Sequence, residues 1–168
     1  MDVSKFMLIG LVLTICALIF QVIGLASPYW IFAESGGNKA YSGLWKSCFS
    51  SKALDTTVCN DWANVQDWFK AVRATSILGF ISLLVGIVMI LLKMFVVKDM
   101  KPVLFAAIGA AFVGALFILI SIAVYASKAD DLVRGTPVDY HFAFAFCIIS
   151  MLAALVAGAI MIVEALKA

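Results

Sequence analysis

Four runs of uninterrupted apolar residues constrain this chain more than any other feature. They are 6–26, 74–92, 102–126 and 142–163, and none contains Asp, Glu, Lys or Arg. The hydrocarbon core of a bilayer needs about 20 apolar residues per helical crossing, so each run is long enough to span it. The first holds thirteen Leu, Ile, Val and Phe residues. At roughly −0.3 to −0.6 kcal/mol each, these favour insertion by about 4–8 kcal/mol before polar costs. A secretory h-region is shorter, roughly 7–15 residues, so this run is an uncleaved span. Composition agrees: 65% of the residues are apolar and 13% charged, where a soluble domain carries about 25% charge. The 168 residues are therefore expected to form a single four-span membrane domain over 1–168, with both termini on one side.

Orientation follows from the short loops. Segment 93–101 carries Lys93, Lys98 and Lys101 against Asp99, which places it and both termini in the cytoplasm by the positive-inside rule. Segments 27–73 and 127–141 then face outward. The second of these carries Lys128, Asp130, Asp131, Arg134 and Asp139, a solvated surface. Cys48 and Cys59 are the two cysteines outside the apolar runs. A pair in a polar loop suits an oxidising compartment, and closing that short loop would stabilise the fold by roughly 3 kcal/mol. Cys16 and Cys147 lie inside spans as small packing residues.

Within 27–73, aromatic and β-prone stretches at 28–32 and 39–45 flank Gly36-Gly37-Asn38, predicting a small antiparallel sheet with a third strand containing Thr56–Cys59. Trp62, Val65, Phe69 and Val72 recur at helical spacing, predicting that the second helix extends outward from an Asp61 cap. Small residues repeat every fourth position in the third span (Ala106, Ala110, Gly114) and in the fourth (Ser150, Ala154, Gly158), which predicts close helix approach. Gln21, Ser76, Ser82 and Ser121 are candidates for hydrogen bonds between helices.

Several function classes are excluded. His141, the single histidine, has no ligand-spaced cysteine or carboxylate beside it, and there is no phosphate-binding glycine loop or nucleophile elbow. Mid-span ionisable residues, which mark transport pathways, are missing. Scattered basic residues and a net charge of +2 do not make a phosphate-neutralising stripe. The chain is expected to have no catalytic residues, no metal, no cofactor, no small-molecule substrate and no nucleic-acid partner.

Trp30, Gly43-Leu44-Trp45, Cys48 and Cys59, followed by Arg73 at the mouth of the second span, resemble the signature of the claudin superfamily. That superfamily includes claudins, peripheral myelin protein, epithelial membrane proteins and calcium-channel gamma subunits. The stretches 71–78 and 139–145 are most similar to the myelin and epithelial membrane protein branch. The resemblance implies an all-α membrane fold, a left-handed four-helix bundle carrying a small extracellular antiparallel sheet. It also implies a Cys48–Cys59 disulfide, with Trp30, Gly43, Leu44 and Trp45 anchoring the sheet and Arg73 close beneath. No Asn-x-Ser/Thr acceptor occurs, so the sugar usual beside the first loop cysteine in the myelin branch is not expected. The chain ends at 164–168 without the long tail and terminal Tyr-Val of many claudins.

The function so implied is adhesion, junction formation or membrane organisation at the plasma membrane and cell junctions. It would act by self-association in cis and in trans and by contact with other membrane proteins, as a paracellular barrier or pore where contacts close into rows. The alternative is an auxiliary subunit held laterally against a channel or receptor. Candidate contact or selectivity residues are Phe32, Glu34, Lys39, Tyr41, Lys46, Phe49, Asp55, Asp61 and Asp67.

Overall fold

The computed structural model describes residues 4–133 and 137–167; Arg134 lies outside them. Four helices, α1 (Lys5–Ala26), α2 (Asp67–Phe95), α3 (Lys101–Val133) and α4 (Phe142–Lys167), are each long and apolar enough to cross a membrane. Around the bundle they follow in chain order, α1 against α2 and α4, α3 against α2 and α4. Leu, Ile and Val point outward along every helix, as at Val12, Leu84, Leu116 and Leu152. The outer surface is thus as apolar as the interior, which only lipid tolerates. The chain is a multi-pass membrane protein in contact with the bilayer.

With lipid outside, apolar burial cannot drive helix association, and close approach of small residues does so instead. On α1, a Cβ added at Gly24 would stand 2.3 Å from the Cys147 sulfur of α4. On α2, one at Gly79 would stand 3.3 Å from the Gly114 carbonyl of α3. Polar side chains tie these two seams and the one between α1 and α2. Gln21 Nε2 donates to the Ser76 carbonyl (3.2 Å), Ser76 and Ser121 share a hydrogen bond (2.5 Å), and Ser150 Oγ donates to the Ala17 carbonyl (2.6 Å). At the opposite end of the bundle Ser4 Oγ donates to Glu164 (2.5 Å). Ser150, Ala154 and Gly158 are buried, as is Gly114, while Ala110 is half-buried.

Ala106 departs from the expected packing face: it is exposed, and the buried stripe is Leu104, Ala107, Ala111, Ala115 and Ile118. The four-residue repeat that packs is 107, 111 and 115, one position further on, and Ala106 falls just outside that face.

The sheet has five antiparallel strands in the order β4-β3-β2-β1-β5: β1 Ile31–Ser35, β2 Asn38–Ser42, β3 Lys46–Ser51, β4 Thr56–Asp61 and β5 Asp139–Tyr140. Gly36 and Gly37 form the first turn with φ of 60° and 83°, conformations that suit residues lacking Cβ. Three expectations need correction. The second strand stops at Ser42, Gly43-Leu44-Trp45 is the turn, and Lys46–Ser51 is a strand of its own, so the disulfide joins third and fourth strands. Asp61 ends β4 rather than capping a helix, and α2 starts at Asp67 with Gln66 as N-cap. Trp62 is held outside the helix because its N–H donates to the Trp45 carbonyl (3.0 Å). Finally, much of 127–141 is not loop: α3 runs on to Val133, its polar residues solvated and Ala129 buried against the sheet end.

Candidate functional site: the sheet and its anchor

The last carbonyls of a helix have no partner within it, and where α1 ends they must be satisfied at the edge of the hydrocarbon. Ser27 N–H takes the Ile23 carbonyl at 3.0 Å. The next two go to indoles: Trp30 Nε1 donates to the Gly24 carbonyl at 2.6 Å and Trp45 Nε1 to the Leu25 carbonyl at 2.8 Å. One tryptophan begins the sheet and the other closes its central turn, so both fasten the sheet to the end of α1. Trp30 is fully buried, edge-on to Tyr125 (4.7 Å) and Phe144 (5.8 Å). Its backbone carbonyl accepts from His141 N–H (2.9 Å), which recruits β5.

Gly43 and Leu44 have separate reasons. A Cβ at Gly43 would fall 2.3 Å from the Ser27 carbonyl oxygen and 2.6 Å from Pro28 Cα, backbone atoms that cannot swing aside. Leu44 is completely buried. Arg73 then locks the turn from α2. Its Nε donates to the Leu44 carbonyl (2.7 Å), and its guanidinium lies 4.8 Å over the Trp45 ring and 5.1 Å over Phe69. A flat cation can donate in its plane while its face lies against aromatic rings. Arg73→Lys is expected to lower stability by about 1–2 kcal/mol. Thermal unfolding in detergent checks this; an unchanged midpoint would show that charge alone suffices.

Strand register decides which candidates meet. Phe32↔Tyr41, Glu34↔Lys39, Tyr41↔Cys48, Cys48↔Cys59 and Lys46↔Asp61 are direct partners. Because side chains alternate, Phe32, Glu34, Lys39, Tyr41, Lys46, Asp61 and the disulfide share one face. Tyr41 there stacks on Tyr29 at 4.6 Å, and Phe32 lies 6.0 Å from His141, so both are half-buried. Burial, then the adjoining Tyr29 hydroxyl, raises the Tyr41 phenol above its ordinary value; the ring stays neutral at physiological pH. Lys46 and Asp61 stand 3.8 Å apart and are largely solvated, a pair of little energetic weight.

Phe49 occupies the opposite face beside Val58, both half-exposed at 51% and 53%. Asp55 lies in the β3–β4 turn at φ 47°, a conformation aspartate tolerates. Asp67 is remote from the sheet face; it opens α2 and pairs with Lys70 at 3.0 Å. All six residues of β4 are exposed, and in the sheet β4 has β3 as its sole neighbour.

Sequence reasoning missed Gly24, Tyr125 and Phe144, which form the socket for Trp30. Their signal was faint: a glycine near a helix end and two aromatics among many. Among the described residues no three of His, Cys, Asp and Glu lie close enough to hold a metal ion. His141 is surrounded by Tyr29, Phe32 and Phe142.

The family model described as the PMP-22/EMP/MP20/Claudin family matches residues 3–161. No curated individual protein matches the chain. Four spans, a five-stranded sheet stapled by Cys48–Cys59 and a match over nearly the whole length make this protein a member of the PMP-22/EMP/MP20/Claudin family.

Proposed function

We propose that this protein is a non-enzymatic membrane organiser that adds the open edge of its sheet to a partner's backbone. It would reside in the plasma membrane, sheet outward and termini in the cytoplasm, acting where cells or membrane patches meet. The basic residues of 93–101 at the far end of the bundle support that orientation, as does a disulfide at the sheet end. The observation that carries the reading is β4, a six-residue strand exposed throughout. Unpaired edges template strand addition, with backbone bonds supplying strength and side chains selectivity. Phe49 and Val58 on one face and the Lys46, Glu34 and Lys39 charges on the other would be what a partner reads.

The edge can be blocked without breaking the backbone ladder of the sheet. Cys48 and Cys59 are directly opposite with Cα atoms 4.0 Å apart, the spacing of a non-hydrogen-bonded pair. By alternation the amides of Thr57, Cys59 and Asp61 point away from β3. Thr57→Pro therefore removes an outward donor and keeps the β3–β4 backbone ladder, losing in addition only the exposed Thr57 Oγ1–Ser50 Oγ hydrogen bond (3.1 Å). Its expected effect is about a tenfold loss of self-association, read as clumping of non-adherent cells expressing the protein and as cross-linked dimer in their membranes. Clumping equal to wild type, with the disulfide intact, would refute edge pairing. A lateral role beside a channel or receptor has one observation in its favour. Ala106 is exposed on α3, and a Cβ at nearby Gly109 would meet nothing within 4 Å. That leaves a smooth helix surface that a neighbouring span could approach.

A further inference from the structure

Where α1 gives way to the sheet, a crevice of about 530 Å³ opens between α1 and α2. That volume lies within the roughly 300–1,000 Å³ of sites that take up a whole small molecule. Leu25 and Pro28 form one wall, Ile77 and Phe80 the other, and Trp45 closes the sheet end. The α1–α2 seam is the loosest of the four helix contacts, and Ile77 is exposed on the apolar outer surface. The crevice therefore opens sideways to hydrocarbon.

Its walls are stiff. Pro28, Trp45 and Phe80 each contribute a flat ring, and the largest of these is fixed from behind. Trp45 Nε1 donates to the Leu25 carbonyl (2.8 Å), and the Arg73 guanidinium lies 4.8 Å over the indole. A preformed slot favours a rigid occupant, because an acyl chain gives up rotamer freedom on entering it and a fused-ring molecule has little to lose. Polar side chains line the sheet end alone, where Ser27 brings a hydroxyl and Lys46 an ammonium. The Asp61 carboxylate stands 3.8 Å from that ammonium, so the rim is balanced in charge. An anionic headgroup drawn by Lys46 would be repelled by Asp61, whereas an uncharged hydroxyl meets no such opposition. A rigid apolar body with one neutral polar end describes a sterol.

We propose that this crevice binds a single sterol of the sheet-side leaflet, its hydroxyl at Ser27 and its fused rings against Pro28, Trp45 and Phe80. Assigning that leaflet to the outside of the cell rests on the orientation proposed above, which turns it away from the anionic cytoplasmic leaflet of a sterol-rich membrane. The fit itself is independent of orientation. A sterol so placed wedges the loosest seam directly below the sheet anchor, whichever partner the β4 edge meets.

Trp45 supplies the probe, because bromine quenches tryptophan emission at short range. The full chain is placed in phosphatidylcholine nanodiscs containing increasing fractions of ring-brominated cholestanol or, separately, acyl-brominated phosphatidylcholine. The Trp45-dependent emission, defined by difference from Trp45→Phe, is expected to be half-quenched at a several-fold lower fraction of the sterol. Ser27→Ala should raise that sterol fraction about fivefold. Ala26→Phe, which fills the crevice from its α1 side, should bring the two curves together. In the unaltered chain, unbrominated cholesterol should displace the quencher several-fold better than its 3α-epimer, whose hydroxyl leaves the plane of the rings. Coincident sterol and phosphatidylcholine curves in the wild type mean ordinary boundary lipid and overturn the proposal. So does equal competition by the two epimers, or a sterol preference unchanged in Ser27→Ala or in Ala26→Phe.

Discussion

Trp30→Ala is expected to lower stability by about 3–5 kcal/mol, the cost of truncating a fully buried tryptophan, and Trp30→Phe by about 1–3 kcal/mol. The two numbers separate two jobs. Alanine empties the space between Tyr125 and Phe144, whereas phenylalanine keeps a ring there and removes the donor to the Gly24 carbonyl. That carbonyl is the end of a helix inside a packed seam, where no water replaces the lost N–H. Trp45→Phe is the control. Trp45 makes the same kind of bond, to the Leu25 carbonyl, but is 38% exposed, so water recovers part of the loss and the cost should stay near 1 kcal/mol. Reactivity of the buried Cys147 thiol with a fluorogenic maleimide during heating, in a Cys16→Ala background, reads the opening of the α1–α4 seam. Equal losses in the two phenylalanine variants would mean that burial does not set the worth of these bonds, and the anchor would need another explanation.

The anchor also shows how far a sequence carries a reader. Long apolar runs betray spans because the bilayer forbids charge over a known length. The joint order of Trp30, Gly43-Leu44-Trp45, the cysteines and Arg73 betrays the fold because each residue meets a separate geometric demand. What those demands were could not be read. That two indoles answer adjacent carbonyls of one helix end depends on bringing residues 24, 25, 30 and 45 together. Local pattern misled where tertiary contact overrode it: Trp62 and Phe69 do face a common core, with rings 5.7 Å apart, yet Trp62 reaches it from an extended segment. Lys46–Ser51 was hidden for a related reason, since a buried leucine between glycine and tryptophan looks like strand continuing rather than a turn diving into the bundle. β5 has two residues, too few for any periodicity to show.

Loss of the disulfide should be felt in β4 and almost nowhere else. Cys48 and Cys59 close a short loop, separation 11, worth roughly 3 kcal/mol, and the strand it secures is exposed on every residue and paired on one side only. The bundle, by contrast, is held by seams that the double variant Cys48→Ser/Cys59→Ser does not touch. Amide hydrogen exchange in nanodiscs distinguishes the two regions. Val58 and Asn60, whose amides point at β3, should lose about a hundredfold in protection, 1.4 kcal/mol being a factor of ten. Amides of β1 and of the helices should change by less than about threefold. If the sheet edge makes the contacts, the double variant must also associate as poorly as Thr57→Pro, because an edge that frays cannot template a partner strand. Full protection at Val58 with impaired association would place the partner's grip on the disulfide face itself, beside Tyr41 and Lys46, and would sink edge pairing while leaving the fold and its anchor as described.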